Sequence, residues 1–80
     1  MGIKQAVVSR IIQLCKEKNI TYNQLAVISG LTPSTVYSIL DINRKNISIV
    51  TLKILCDGLD IKLSEFFDTN EFNNLEQEIY

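Results

Sequence analysis

Hydroxyl side chains and a pair of adjacent cations are the groups in this 80-residue chain whose types and spacing could do chemistry. Ser34, Thr35 and Ser38 are closely spaced, and Arg44 with Lys45 follows in a polar segment. Hydroxyls donate and accept hydrogen bonds, and cations attract phosphates. The sequence contains no histidine, no glycine-rich phosphate loop and no apparent pair of catalytic acids. We therefore predict that these groups bind a partner, and we do not expect an enzyme.

The elements that would position the hydroxyls lie in residues 21–40, TYNQLAVISGLTPSTVYSIL. Thr21 starts a first helix and forms a capping box with the glutamine three places on. Gly30 follows that helix, where the chain reverses and a positive φ is needed. Thr32 caps a second helix that has Pro33 at its first position, where the missing N–H costs nothing. This is the helix-turn-helix pattern, whose usual use is to place its second helix in the major groove of DNA.

Three further helices are predicted around this motif. Apolar residues at helical spacing predict one helix over about residues 4–18, one that Ser48 caps and one that Ser64 caps. Gly58 either allows close packing or lets its helix fray. The residues expected in the core are Val8, Ile11, Ile12, Cys15, Leu25, Ala26, Leu31, Val36, Ile39, Leu40, Ile49, Leu52, Leu55, Cys56, Leu59, Phe66 and Phe67. The prediction is an all-α fold, a compact bundle of five short helices.

Composition and targeting signals indicate a globular cytoplasmic protein. Hydrophobic residues make up 46% and charged residues 21% of the chain, which is close to average usage. No apolar run is long enough to span a bilayer, and the N-terminus lacks the apolar stretch of a signal peptide. Cys15 and Cys56 form no CxxC pair and are expected to be reduced thiols in the core. We expect no metal site and no cofactor.

The net charge of −1 at first argues against a nucleic-acid partner. Residues 1–67, however, hold all eight basic side chains against five acidic ones, and the other four acids lie in residues 68–80. Local placement of charge, not the total, decides whether phosphates are attracted. We therefore predict a DNA-binding domain over 1–67 and an acidic C-terminal extension over 68–80.

The order of these elements resembles the Cro and phage-repressor type of DNA-binding domain, also called the xenobiotic-response-element family. The resemblance covers about residues 5–67. Residues 21–40 carry it, together with TLKILCDGLDIKLSEFF at 51–67, which is similar to the closing helices of the family. It implies the λ-repressor-like fold, double-stranded DNA as the partner and transcription regulation as the function.

The resemblance also implies which positions contact DNA. The phosphate contacts would come from Thr21, Tyr22 and Asn23 at the start of the first motif helix, and from Asn43, Arg44, Lys45 and Asn46 in the loop after the second. The base contacts would come from Pro33, Ser34, Thr35 and Ser38, with Tyr37 beside them.

Two features depart from the family's usual pattern. The four base-contacting positions carry no Gln, Arg, Asn or Lys, the side chains that make bidentate contacts to bases. Direct readout would therefore depend on hydroxyls, thymine methyl groups and Tyr37, with DNA shape supplying the rest. The loop also lacks the usual glycine and proline, and has Ile42 and Ile47 instead.

We interpret the chain as a sequence-specific transcriptional regulator, a homodimer whose two recognition helices would lie about 34 Å apart. We expect it to act as a repressor that occupies an operator; the alternative that the sequence leaves open is recruitment of polymerase. The predicted dimer surface consists of Phe72, Leu75, Ile79 and Tyr80. The alternative is a protein-interaction module, for example an antitoxin-like partner that keeps the fold without strong DNA binding. The acidic pI and the absence of amide base readers favour the alternative, whereas the polar face and the basic loop favour DNA. We expect neither a membrane nor a small-molecule substrate as partner.

Overall fold

Helices form all the regular secondary structure of the described chain. The computed structural model describes residues 2–76. The helices are α1 (Ile3–Lys18), α2 (Tyr22–Ser29), α3 (Pro33–Leu40), α4 (Ile49–Gly58), α5 (Leu63–Phe67) and α6 (Asn70–Asn73). No strand occurs within residues 2–76, so the all-α prediction is confirmed. None of these helices is long and apolar enough to cross a membrane.

Helix α1 begins and ends within a residue of its predicted limits. Asn19 closes it with a φ of 54°, in the left-handed region that a short polar side chain tolerates. The buried apolar residues of α1 are Ala6, Val7, Val8, Ile11, Leu14 and Cys15. Ala6, Val7 and Leu14 were not in the predicted stripe, whereas Ile12, which was, is only half-buried. Arg10 of this helix is half-buried, and it donates from Nε to the carbonyl of Phe66 and from Nη2 to that of Glu65, both at 2.9 Å. The guanidinium thus ties α1 to the end of α5.

The helix-turn-helix forms as its local signals predict. Thr21 N donates to Gln24 Oε1 at 2.7 Å and Gln24 N donates to Thr21 Oγ1 at 3.1 Å, which completes the capping box. Gly30 ends α2 with a φ of 69°. Thr32 caps α3 by accepting from the amide of Thr35 at 3.2 Å, with Pro33 as the first helical residue. The ends of α2 and the start of α3 are therefore fixed by three local features: the capping box, the left-handed glycine and the threonine cap.

The core lies where α2 packs against α3 and α4, and Phe66 fills it from α5. Its buried members from α2 to α5 are Leu25, Ala26, Val36, Ile39, Leu52, Leu55, Cys56, Leu59 and Phe66. Leu31, Leu40 and Phe67 pack against this core while partly buried. The prediction for Ile49 is wrong, since 65% of its surface is exposed. Helical spacing predicts which face of a helix is buried, but it does not predict how far along the helix the core extends. Ile49 is exposed because it is the first residue of α4, at the end of the buried face.

Gly58 allows a close approach between α4 and the end of α2. A Cβ at this position would lie 2.4 Å from Ser29 Oγ, 3.0 Å from Ser29 Cα and 3.1 Å from the carbonyl oxygen of Ile28. Real Cβ atoms essentially never lie as close as 2.4 Å to another heavy atom, and the two backbone contacts are tighter than most. Of the two alternatives for Gly58, close packing is the one that the structure shows.

The C-terminal segment differs from the single helix that was predicted. Helix α5 begins after Lys62, not Ser64, because Glu65 accepts from the amide of Lys62 at 3.4 Å. It ends at Phe67, and Thr69 starts α6 by accepting from the amide of Phe72 at 3.3 Å. The described chain therefore has six helices where five were predicted, although the bundle itself is as expected.

Candidate nucleic-acid interface

Helix α3 separates its side chains into a buried and an open face. Val36 and Ile39 point into the core, with 1% and 7% of their surfaces exposed. Pro33, Ser34, Thr35 and Tyr37 are exposed and Ser38 is half-buried. All five predicted base-contacting residues thus lie on the part of α3 that remains accessible to a partner.

A hydroxyl cluster occupies the start of this face. Thr32 Oγ1, which accepts from the amide of Thr35, also lies 3.1 Å from Ser34 Oγ and 2.9 Å from Thr35 Oγ1. A hydroxyl has one proton to donate and two lone pairs to accept with, and the amide already occupies one lone pair. Thr32 therefore donates to one of its two neighbours and accepts from the other. The neighbour whose hydroxyl donates to Thr32 can then only accept a hydrogen bond from a partner. The neighbour that accepts from Thr32 can still donate one.

Tyr37 connects the open face of α3 to the start of α2. Tyr37 is 54% exposed, and its ring meets the ring of Tyr22 edge to face, with centroids 6.1 Å apart and planes at 90°. Edge-to-face contact is a favourable arrangement for aromatic pairs. The two rings therefore hold the first residue of α2 beside the predicted base-contacting residues.

A cleft of about 470 Å³ lies beside these two rings. Thr21 and Asn23 line it together with Lys16, an exposed residue from the last turn of α1. The amides at the start of a helix have no partner within the helix, and they form a site that attracts anions. Lys16 is not among the residues predicted from the sequence to contact DNA, yet the structure places this cation beside the predicted phosphate-contacting residues of α2.

The loop between α3 and α4 is organised around Asp41. Its carboxylate Oδ1 accepts from the amide of Asn43 at 3.0 Å, and its carbonyl accepts from the amide of Arg44 at 3.1 Å. An aspartate that bonds to the amide two residues on forms an Asx-turn, which needs neither glycine nor proline. The turn therefore gives a fixed conformation to a loop that lacks both of those residues.

A buried lysine from α1 supports the same loop. Lys4 is 5% exposed, and its Nζ donates to the carbonyl of Asp41 at 3.1 Å and to that of Arg44 at 2.7 Å. Burial lowers the pKa of Lys4; the nearby carboxylate of Asp41 raises it and Arg44 lowers it. Lys4 is not among the functional residues predicted from the sequence. The available signal was a cation in the first turn of a helix, where the helix dipole disfavours it.

The predicted phosphate-contacting residues of the loop are exposed. They are Asn43, Arg44, Lys45 and Asn46. Arg44 Nε lies 3.7 Å from Asp41 Oδ2, and the two side chains are 67% and 41% exposed. An ion pair this open to water is worth little, so it can be exchanged for a phosphate.

The predicted dimer residues are only partly within the described chain. Phe72 packs on Phe66 and Phe67, with ring centroids 5.9 Å and 4.9 Å apart, and remains half-buried. Leu75 is also half-buried. Ile79 and Tyr80 lie outside the described residues.

Both cysteines are free and buried, as predicted. Burial raises the pKa of the Cys15 thiol. It also raises the pKa of the Cys56 thiol, with a further increase from Asp57 that Lys53 and Arg10 oppose. Within residues 2–76, no group of three His, Cys, Asp or Glu side chains is placed to hold a metal ion.

Residues 10–71 match the family model of the Cro/C1-type helix-turn-helix DNA-binding domain. The chain belongs to this family. The resemblance found in the sequence is thereby confirmed, and the protein is a DNA-binding regulator in the general sense that the family implies. The Cro/C1-type domain is a regulator fold that is not known as an enzyme.

One solved structure with this fold is the crystal structure of the prophage Lp1 protein 11. The two chains share 29% of their residues, with a TM-score of 0.81, and the match covers 94% of this chain and 100% of the other. A comparison with curated protein sequences finds no match. The Cro/C1-type fold is therefore supported by a family model and by a solved relative.

Proposed function

We propose that this Cro/C1-type domain is a sequence-specific repressor that places α3 in the major groove of double-stranded DNA. The observation that carries the proposal is the division of α3, whose Val36 and Ile39 are buried while its hydroxyls and Tyr37 remain accessible. A recognition helix needs one face to be held rigidly and the other to be free to enter the groove. Ser34, Thr35 and Ser38 would read base edges together with Pro33 and Tyr37.

Phosphate contacts would come from both sides of α3. Thr21, Tyr22 and Asn23 offer the first amides of α2 and the cleft that Lys16 lines. On the other side, Asn43, Arg44, Lys45 and Asn46 offer amides and cations on the loop that follows α3. These contacts would fix the orientation of the domain, while α3 supplies the sequence preference.

The active form in this proposal is a homodimer in the cytoplasm. One small domain covers only a short half-site, and a twofold axis would place two α3 helices one duplex turn, about 34 Å, apart. Phe72, Leu75, Ile79 and Tyr80 remain the predicted dimer surface, on the acidic extension over 68–80. The dimer would repress by occupying an operator and excluding polymerase from it.

A protein-interaction role is the second candidate. Three apolar side chains outside the proposed interface favour it, because Val27 is 78% exposed and Ile49 and Val50 are each 65% exposed. Exposed apolar groups of this kind are common in binding surfaces for proteins, although single ones also occur on ordinary surfaces.

Measuring the salt dependence of duplex binding distinguishes the two candidates. The double change Arg44→Ala with Lys45→Ala should weaken binding to all sequences and lower the salt slope by up to about two. As a control, Lys18→Ala with Lys53→Ala removes the same charge from two exposed positions that are not among the predicted contacts. Equal effects of the two double changes would remove the loop from the list of phosphate contacts. No duplex binding by the folded wild type would favour the protein-interaction role.

A further inference from the structure

Two physical effects, burial and the helix dipole, disfavour a charged side chain at the position of Lys4. It is the one charged residue that is buried within the described part of the chain. Removing an ammonium group from water is costly unless hydrogen bonds replace the lost hydration. It also lies in the first turn of α1, at the end of the helix dipole that repels cations. A compensating interaction is therefore required to hold it there.

The compensation comes from two carbonyl groups of the loop between α3 and α4. Lys4 Nζ donates to the carbonyls of Asp41 and Arg44, at 3.1 Å and 2.7 Å. These carbonyls belong to the two ends of one turn, because the amide of Arg44 donates to the carbonyl of Asp41 at 3.1 Å. The ammonium group thus bridges both ends of the turn, although Asp41 and Arg44 lie 37 and 40 residues from Lys4 in the sequence.

The far end of the loop is held separately, because Ile47 packs against the core and Ser48 caps α4. Residues 41–48 lack glycine and proline, and residues 45–47, which follow the turn and precede the cap of α4, belong to no regular element. Flexible cations must be ordered when they bind a phosphate, and that ordering subtracts from the affinity. A backbone fixed before binding removes part of this cost. Lys4 holds the backbone of the loop at the carbonyl of Arg44, the residue before Lys45.

Building on the proposed function, we infer that Lys4 is a positioning residue for DNA binding, which holds the backbone of Arg44 so that the cationic side chains of the loop point to the phosphates. Lys4 itself does not reach the DNA, because its ammonium group is buried beneath the loop. Its effect on affinity is transmitted through Arg44 and Lys45.

The test begins with the free protein. Lys4→Met keeps the length of the side chain and removes the donors, and Lys18→Met is the matched control at the other, exposed end of α1. Amide hydrogen exchange over residues 42–47 should be faster in Lys4→Met than in the wild type or in the control. Equal exchange in all three proteins would overturn the inference. Should Lys4→Met not fold, Lys4→Gln, which keeps a donor of shorter reach, takes its place.

Binding to a duplex then decides whether the ordered loop matters for DNA. Lys4→Met should raise Kd about three- to tenfold and lower the salt slope by about one, because each phosphate contact contributes about 0.9 to that slope. Lys18→Met should have a smaller effect on both. If the wild type and Lys4→Met bind the duplex equally well, this inference is contradicted and the proposed function still stands. A folded wild type that binds no duplex would instead contradict the proposed function, and the inference with it.

A double-mutant cycle separates positioning from a general loss of stability. If Lys4 acts through the loop cations, Lys4→Met should change Kd less than twofold when Arg44 and Lys45 are already alanine. Non-additivity of this kind is expected for residues that act through one another. The same fold-change in both backgrounds would show that Lys4 stabilises the domain without positioning the loop.

Discussion

In the free protein the carboxylate of Asp41 holds the guanidinium of Arg44, with Oδ2 and Nε 3.7 Å apart. The same carboxylate accepts from the amide of Asn43 and so shapes the loop. Asp41 therefore has two opposed effects on DNA binding. It orders the backbone that carries the loop cations, and it competes with phosphate for one of them.

Asp41→Asn should separate these two effects and tighten DNA binding. The amide oxygen of asparagine can still accept from the amide of Asn43, while the charge that competes for Arg44 is removed. An exposed ion pair is worth up to about 1 kcal/mol, so we expect the affinity to rise by up to about fivefold. Fluorescence anisotropy with a labelled duplex at several salt concentrations measures it. Asp57→Asn, which removes the same charge from the exposed pair with Lys53 on α4, is the control. An equal gain from both changes would show that only net charge matters.

Thr35→Val should change which sequences are preferred without changing the salt slope. Valine keeps the shape of threonine and the amide that Thr32 caps, but it removes the hydroxyl from the cluster at the start of α3. The loss of one hydrogen bond to a base is worth about 1 kcal/mol, so discrimination at one position should fall by about fivefold. Competition among single-base variants of the bound duplex measures this. Thr51→Val on α4 is the control, and an unchanged preference in Thr35→Val would remove that hydroxyl from the reading surface.

Gly58→Ala should destabilise the domain even though alanine favours helices. The added Cβ would lie 2.4 Å from Ser29 Oγ, and overpacking of this kind costs about 1–3 kcal/mol. Ser29 Oγ is buried and has no hydrogen-bond partner in the described chain, so Ser29→Ala should be neutral or stabilising. Urea denaturation of the two single variants and of the double variant measures the coupling. We expect Gly58→Ala to cost less when residue 29 is alanine, and additive effects would show that the contact with Ser29 Oγ is not the cause.

The buried thiols should make the protein less stable in alkali. Burial raises the pKa of Cys15 and of Cys56 above the ordinary thiol value of 9.0, so above that pH the unfolded state loses thiol protons before the folded state does. The free energy of unfolding should therefore fall as the pH rises through 9.0, by up to about 1.4 kcal/mol per pH unit and thiol. Urea denaturation in reductant between pH 7.5 and 10.5 measures it. The slope should be smaller in the variant with Cys15→Ala and Cys56→Ala, and equal slopes would contradict the burial of the thiols.

Removing residues 75–80 should convert the proposed dimer to a monomer. This deletion takes away Leu75, Ile79 and Tyr80 but keeps Phe72, whose ring packs on Phe66 and Phe67 within the same chain. Sedimentation equilibrium gives the molecular mass directly. Glu76→Gln with Glu78→Gln is the control, because it removes charge from the same segment and keeps the apolar residues. A truncated protein that remains dimeric would exclude Leu75, Ile79 and Tyr80 from the dimer surface.

The parts of the fold that are set locally could be predicted from the sequence. Thr21, Gly30, Thr32 and Ser48 each act on backbone atoms within a few residues, so their types and spacing were enough to place the helix ends. The sixth helix was missed because Thr69 caps it inside a segment whose apolar spacing suited one continuous helix. Lys4 was missed for a different reason. Its partners lie 37 and 40 residues away, and no local pattern relates them.

The exposure of the predicted contact residues could be inferred from the sequence, but the hydrogen bonds among their side chains could not. The sequence indicated that Ser34 and Thr35 would be accessible, and they are exposed. It did not indicate that both hydroxyls would share Thr32 as a neighbour, which limits what each can offer to a base. The Asx-turn at Asp41 was within reach of sequence reasoning, since an aspartate two places before Asn43 at the end of a helix is a common turn signal.

Selection of bound duplexes from a random DNA pool at moderate salt tests the central claim most directly. A dimer that reads DNA with α3 should enrich a palindrome whose half-sites are centred about one helical turn apart. A folded, dimeric protein that enriches no sequence would contradict the proposal that the hydroxyl face of α3 reads bases.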